Sequence, residues 1–347
     1  MKVIHILQSS HFSGAENVVC QIIKLFENNS DYEMLYVSRG GTVEPVLEQM
    51  GIPYYKLERF NVQSVRKAIK ELKPDIVHAH DISASTIAAL ATIGTKCRVI
   101  SHVHVNNSNM SRVNIKTVVY GISTLRFSRI FWVSQSCYDG YVFKKFVERK
   151  SNVLRNMMIK SAIIEKKDCD LNNYNYDVAY VGRLTEQKDP DRLIEVLRQL
   201  VKKIPAVKIA IVGTGNLEEH TRHLAEQNSL MNNINFLGFM NNPLKVLEGS
   251  KVMIMTSKYE GLPMTVLEAM ALGVPIVSTP VDGLKDVIVN GVNGYLEDEN
   301  ELLVQRLFNI IDNIDLRNQL SDKAAEEFNK INDLSLYKAE IKRAYEE

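Results

Sequence analysis

Short apolar runs alternate with amphipathic helical stretches along almost the whole chain, and this alternation constrains the fold more than any other feature. Apolar runs bounded by turn residues read as strands buried on both faces, which a parallel sheet covered by helices requires. Val3–Leu7, Met34–Val37, Asp75–Ala79, Arg98–Val103 and Ile130–Val133 are predicted strands of the first half. Asp177–Val181, Lys208–Val212, Ile234–Leu237, Val252–Met255 and Pro275–Ser278 are those of the second. Helical patterns at Gly14–Glu27, Val62–Leu72, Ser83–Ile93, Pro190–Lys203 and Met264–Leu272 separate them. The fold class is therefore α/β, with two doubly wound halves. A chain of 347 residues exceeds one ordinary core. The Asn- and charge-rich stretch 166–175 marks a linker, and no residue-level repeat relates the halves. Expected domains are 1–160 and 161–330, followed by a helix within 331–347.

Composition excludes several classes. Apolar content of 45% and charged content of 24% are those of a globular enzyme. No apolar run is long enough to span a bilayer, and Met1–Gln8 is too short and too polar for a signal peptide. Cys20, Cys97, Cys137 and Cys169 are widely spaced without Cys-x-x-Cys, so a reduced, cytoplasmic, zinc-free protein is expected. The net charge of +1 hides a dipole: residues 1–155 carry 20 Lys+Arg against 12 Asp+Glu. The basic excess concentrates in 112–150, among apolar residues Val118–Ile122, Phe127, Ile130–Trp132 and Phe143–Phe146. Basic and apolar residues together suit a peripheral contact with an anionic membrane; a solvated basic face over an ordinary core is the alternative.

In open α/β sheets ligands bind at the carboxyl ends of strands, and the polar oddities of this sequence fall there. His11, His78, His80, His102 and His104 follow or finish strands; His5 lies inside one. The pairs His78/His80 and His102/His104 each share a sheet face. A metal site including Asp81 competes here with buried polar contacts at a strand end, and the latter is preferred for His78 and His80. Ser13-Gly14 opens a helix whose N-terminus favours phosphate. Val181-Gly-Arg-Leu-Thr-Glu-Gln-Lys-Asp-Pro places Arg183 and Lys188 on a loop that can hold a diphosphate, before a helix capped by Asp189. Gly213-Thr-Gly215 ends another strand and can shape a nucleotide pocket. No Gly-x-Gly-x-x-Gly follows the first strand, which excludes the usual dinucleotide site. Glu260-Gly-Leu-Pro-Met-Thr-Val-Leu-Glu268 carries two glutamates eight positions apart, slightly more than two helical turns. Both carboxylates are thus expected on one side of a helix start whose N–H groups attract anions.

With Gly261, Pro263, Gly273 and Pro275 in register, this last run resembles the Glu-x7-Glu signature of retaining glycosyltransferases of family 4, which have the GT-B fold. Gly182-Arg183-Leu184 with Lys188 resembles the diphosphate clamp of the same family. The resemblance covers nearly the whole chain and is strongest from Ala179 to Gly294. It implies two Rossmann-like domains facing across a cleft, the first binding the acceptor and the second the nucleotide sugar, with the last helix packing back on the first domain. It implies retaining transfer of a hexosyl or N-acetylhexosaminyl group from a UDP-sugar to a glycan or polyprenyl-diphosphate-linked hydroxyl, in surface polysaccharide synthesis. Neither metal nor cofactor nor nucleic acid is expected.

Residue roles follow from the same resemblance. His104 lines the donor sugar, with His102 as the alternative two residues away. Arg183, Lys188 and the backbone of Gly261, Leu262, Pro263, Met264 and Thr265 hold the diphosphate. Glu268 takes the ribose, Glu260 the transferred sugar, Gly14 the phosphate side, and Gly213, Phe236, Gly238 and Phe239 the base. The chain departs from the pattern in three places: Ser13-Gly14 stands where Gly-Gly is usual, Leu154-Arg-Asn-Met-Met where Asn-Gly is frequent, and Lys285 where an acid is frequent. A sugar-nucleotide epimerase of the same fold and a non-catalytic sugar-nucleotide binder remain as alternatives.

Overall fold

All strand pairs between the named strands are parallel, in two separate sheets. A computed structural model describes residues 1–104 and 108–347. Its strands are β1 (Lys2–Ile6), β2 (Glu33–Arg39), β3 (Tyr54–Leu57), β4 (Ile76–His80), β5 (Arg98–Val103), β6 (Phe127–Trp132), β7 (Ser151–Val153), β8 (Tyr176–Val181), β9 (Ile209–Val212), β10 (Ile234–Gly238), β11 (Ser250–Met255), β12 (Ile276–Ser278) and β13 (Gly294–Leu296). The first sheet runs β3-β2-β1-β4-β5-β6-β7 and the second β10-β9-β8-β11-β12-β13. Each winds outward one way and then the other, so each has one place where strand order reverses: β1/β4 in the first, β8/β11 in the second. Ligand crevices of doubly wound sheets form at such reversals.

The central strands are buried throughout, as the apolar runs predict; β4 and β9 have no exposed residue. The three strands missing from the sequence analysis are β3, β7 and β13. All lie at or next to a sheet edge, are short, and are only partly buried, so they lack the continuous apolar run of a covered strand.

The chain divides into unit 1, Met1–Met157 with Asp333–Glu347, and unit 2, Met158–Asn332. The last helix, Leu334–Glu346, thus belongs to unit 1. Asp333 caps it by accepting the backbone N–H groups of Ser335 and Leu336. Tyr345 near its end is fully buried, packs on Phe26 and Tyr32, and its hydroxyl lies 2.8 Å from His78 Nδ1. Arg98 donates to the Tyr345 carbonyl, and Arg129 pairs with Glu347. Among the described helices none is long and apolar enough to cross a membrane.

Candidate functional site

Unit 2 collects its unusual polar residues where its strand order reverses. The loop after β8 carries Arg183 and Lys188; the loop after β11 carries Glu260. Lys188 Nζ lies 2.5 Å from Glu260 Oε1, and both side chains are largely buried. Gln187 joins the same two loops, donating to the Tyr259 carbonyl at 3.0 Å, and Arg183 Nη2 reaches its amide oxygen at 3.4 Å. Thr256 donates to the carbonyls of Lys188 and Asp189 at 3.0 and 3.2 Å. A buried charge pair is tolerable only when its remaining hydrogen-bonding capacity is met, and these loop contacts hold both partners in place.

Two glycines let neighbouring segments pack against these two loops. Gly213, at the end of β9, has φ +130°, and a Cβ there would lie 2.0 Å from the Gly182 carbonyl oxygen. Gly283 has an ordinary helical backbone, but its Cβ would fall 1.0 Å from the carbonyl oxygen of Gly261. Gly283 therefore seats the Gly261–Leu262 backbone. The sequence offered only a Val-Asp-Gly-Leu loop at this point, and nothing in it revealed the contact.

The structure corrects two expectations. The helix begins at Met264, as predicted, and Glu260 precedes it across Pro263, extended at φ −65°, ψ 136°. The eight-residue spacing therefore does not place the two glutamates by helical rotation; Glu260 is drawn to Lys188 instead. Asp189 holds the N-cap position of the Pro190–Lys203 helix, but at φ 52° and without a side-chain cap bond. Its carboxylate points toward Lys258, 3.9 Å away.

Glu268 lies in the second turn of the Met264–Ala271 helix, buried, and burial raises its carboxyl above the usual range while Lys166 partly offsets this. Leu262 and Met264 are buried, and Thr265 is half-buried at the first turn; the N–H groups of Val266 and Leu267 bond to the Pro263 carbonyl, and Met264 and Thr265 precede these bonds. On the other side of the sheet order, Gly238 has φ +65° and its carbonyl accepts the Gly213 N–H at 2.7 Å. The Arg222 guanidinium covers the Phe236 ring at 4.5 Å, and Phe239 is exposed.

Unit 1 has a cavity of about 390 Å³ at its own strand-order reversal. It is lined by the Leu7–His11 segment, Glu16, Arg39, His80, Asp81 and Ala84. Gly14 begins the adjoining helix, and Ser13 Oγ donates to Glu16 Oε2 at 2.5 Å. Burial raises the Glu16 carboxyl against the lowering effect of that bond. Behind the cavity five histidines meet on one sheet face. His5 is the Cα partner of His78, and His80 that of His102. His5, set aside in the sequence analysis, thus joins the two His-x-His pairs through the β1/β4 register. His11 does not: it lies in the exposed loop, 2.9 Å from Thr42 Oγ1.

His5 Nδ1 is 3.1 Å from His80 Nε2, and His80 Nδ1 is 2.8 Å from His104 Nε2. His104 stacks on His102 with ring centroids 4.2 Å apart. Nitrogens of His5, His78 and His80, and of His80, His102 and His104, lie within 4.8 Å of one another. Ligation through His80, both of whose nitrogens are engaged, would break the imidazole–imidazole hydrogen bonds, whereas His5 Nε2, His78 Nε2, both nitrogens of His102 and His104 Nδ1 have no partner among the described residues, so the cluster is only partly satisfied.

Two family models match consecutive stretches of the chain. "Glycosyltransferase Family 4" matches residues 12–156 and "Glycosyl transferases group 1" matches residues 163–327. The chain belongs to this glycosyltransferase family. An uncharacterized glycosyltransferase of Haemophilus influenzae is 26% identical over 90% of both chains. The capsular polysaccharide biosynthesis glycosyltransferase CapH of Staphylococcus aureus is 25% identical over 99% of this chain and 98% of its own. Among solved structures, Anabaena HepE in complex with UDP-glucose superposes with a TM-score of 0.85 at 21% identity, covering 99% of this chain and 98% of that one. S. aureus TarM, in a complex containing UDP, does so at 0.82 and 13%. These likenesses show the GT-B fold.

Two measurements check this geometry. Gly283→Ala should push the Gly261–Leu262 backbone away and lower transferase turnover by about tenfold or more, as misplaced electrostatic donors do. A variant with wild-type kinetics would show that this backbone plays no part. The second concerns pH. Burial drives all five clustered imidazoles down, His5 to about 3. An unfolded histidine takes up its proton near pH 6.5. Below that pH the unfolded chain therefore binds more protons, and stability falls as pH falls. Each neutral histidine costs up to about 1.4 kcal/mol per pH unit. Glu16 and Glu268, with raised carboxyls, oppose this only near the carboxylate range. Thermal scans should show Tm level above pH 7 and dropping from about pH 6.5 downward, more shallowly in His102→Phe. A Tm unchanged between pH 7 and 5 would contradict the neutral cluster.

Proposed function

We propose that this protein transfers a hexosyl or N-acetylhexosaminyl group from a UDP-sugar, with retention of configuration, during surface polysaccharide synthesis. The observation that carries this is Arg183, Lys188 and Glu260 gathered where the β8/β11 order reverses, beside the first turn of the Met264–Ala271 helix. A guanidinium, an ammonium and free helix N–H groups suit a diphosphate. HepE binds UDP-glucose and TarM is in a complex with UDP, and CapH serves capsular polysaccharide synthesis.

In this proposal Arg183, Lys188 and the Gly261–Thr265 backbone stabilise the charge that develops on UDP as its bond to the anomeric carbon breaks. No metal is needed for that charge. The acceptor hydroxyl attacks from the same face, its oxygen bonds to the anomeric carbon, and its proton passes to the departing phosphate oxygen. Glu268 accepts from the ribose hydroxyls, and Glu260 contacts the transferred sugar. Gly213, Phe236, Gly238 and Phe239 surround the base. Arg183→Ala or Lys188→Ala should lower turnover by about a hundredfold, and chelator should leave the wild type active. Activity lost to EDTA and restored by manganese would overturn the metal-free mechanism, and donor turnover without any acceptor would favour an epimerase.

In the same proposal the acceptor is a glycan or a polyprenyl-diphosphate-linked sugar at the inner face of the cytoplasmic membrane. The supporting feature is the Ile115–Ser123 helix of unit 1, which is amphipathic in the inverted sense. Thr117, Tyr120 and Ser123 face the core, while Ile115, Val118, Val119 and Ile122 are exposed. Leu125 and Phe146, 80% and 88% exposed, continue the apolar surface. Arg112, Lys116, Lys145 and Arg149 are exposed around it and form no ion pair among the described residues. Cations around an apolar face match an anionic bilayer. Phe127, Ile130, Phe131 and Trp132, expected in this patch, are instead core residues of β6. Vesicle sedimentation should show binding to anionic lipid at low salt that Ile122→Asp with Leu125→Asp abolishes. Equal binding to neutral vesicles, or none to anionic ones, would remove the membrane; salt-independent self-association would point to a second copy of the chain.

A further inference from the structure

The loops at the carboxyl edge of the first sheet enclose a second cavity beside the one over the β1/β4 reversal. It measures about 590 Å³ and is lined by the Arg39–Gly41 segment, Glu44, Lys56 and Glu58, at the ends of β2 and β3. Ser10 and Arg39 line both cavities. The wall at Ser10 is fixed: its carbonyl accepts the Val43 N–H at 3.1 Å, and a Cβ on Gly41 would lie 2.6 Å from that oxygen. Arg39 is the last residue of β2, held in register with Leu57 of β3. The two cavities thus adjoin along the strand ends where ligands of such sheets bind, with a guanidinium carried by a sheet strand where they meet.

The charges of this groove are already matched, with one exception. Ser13 donates to Glu16, and the His104 backbone N–H donates to Asp81 at 2.9 Å. Lys56 Nζ lies 3.0 and 3.2 Å from the two carboxylate oxygens of Glu44, which also accepts the Gly41 N–H at 2.8 Å. Lys67 Nζ stands 3.6 Å from Glu58. The Arg39 side chain is exposed and makes no hydrogen bond or ion pair among the described residues. An unmatched guanidinium presents a planar fork of N–H donors to whatever enters the groove, a geometry that suits a carboxylate or a phosphate. The carboxylates limit where such a group can lie. Glu16 and Asp81 in the first cavity, and Glu44 and Glu58 in the second, repel an anion placed beside them. Their spare lone pairs accept from hydroxyls instead.

We propose that this groove binds an acidic sugar, whose hydroxyls enter the first cavity and whose carboxylate or phosphate pairs with Arg39. Arg39 is then a specificity-determining residue, and the ligand class is an anionic glycan rather than a neutral one. That this ligand is the acceptor rests on the transferase function proposed above; the charge preference of the groove does not.

Saturation-transfer NMR titrations of the full-length protein test this, in UDP sufficient to fill the unit 2 site. The probes are methyl glucoside, methyl glucuronide and the phosphate monoester of methyl glucoside. The filled donor site keeps the phosphate probe away from the Arg183–Lys188 loop. A charged probe should bind about tenfold more tightly than the neutral glucoside, as one charge-assisted contact allows, and added salt should shrink the difference. Preference for the glucuronide alone identifies a uronic acid, for the phosphate alone a phosphorylated sugar, and for both a groove that reads charge only; each supports the proposal. Arg39→Gln should abolish the preference and Arg39→Lys keep part of it, with UDP affinity unchanged in both as the check on folding. A glucoside bound as tightly as both charged probes, charged probes that do not bind, or a preference that survives Arg39→Gln overturns the proposal. A chain that does not bind UDP yet shows the Arg39-dependent preference keeps the anion subsite and loses the transferase reading.

Discussion

The pairing of Lys188 with Glu260 is the interaction on which the unit 2 site depends. It ties the loop after β8 to the loop after β11 across the place where strand order reverses, and it does so out of water. Removing one partner of such a pair leaves a buried charge uncompensated, at a cost of roughly 3–5 kcal/mol. The surrounding contacts make sense as supports for it. Gln187 and Thr256 bridge the same loops, Gly213 after β9 lets its loop pack on Gly182, and Gly283 after β12 lets its helix pack on Gly261. Under the proposed function, a diphosphate would supply an alternative partner for the ammonium and release Glu260 toward a sugar hydroxyl.

Unit 1 solves a different problem with the same topology. Its reversal of strand order lies over five imidazoles rather than an ion pair, and burial keeps them uncharged. The cavity is lined by Glu16, Asp81 and Arg39, with the uncharged His80 beneath it. Asp81 sits at φ 68°, a conformation uncommon for a side chain of its kind, and in return its carboxylate reaches the His104 backbone. The outer face of the same unit carries the inverted helix, whose apolar residues face away from a core that needs none of them.

Much of this was legible in the sequence, for identifiable reasons. Continuous apolar runs gave the covered strands, and the rule that ligands gather at strand ends pointed to Arg183, Lys188, Glu260 and the histidines. Period-two spacing put His78 with His80 and His102 with His104 on shared faces. What stayed hidden depends on contacts between elements distant in sequence. Spacing could not show that Glu260, ahead of the helix, turns to meet Lys188, since that is set by an extended Pro263 and a partner 72 positions away. Nor could it show that His5 meets His80 through the β1/β4 register, or that Gly283 backs onto Gly261. Charge and aromatic content marked 112–150, but only the fold separates the buried Phe127 and Trp132 from the exposed Ile122 and Phe146.

The most direct test of the account is calorimetric titration of UDP into Lys188→Met and Glu260→Gln beside the wild type. If Lys188 holds the diphosphate and Glu260 the sugar, Lys188→Met should weaken UDP binding by about tenfold or more, while Glu260→Gln should bind UDP at least as tightly as the wild type. Equal weakening in both variants would mean that the pair serves only to hold the loops. A wild type that does not bind UDP would contradict the assignment of the site itself.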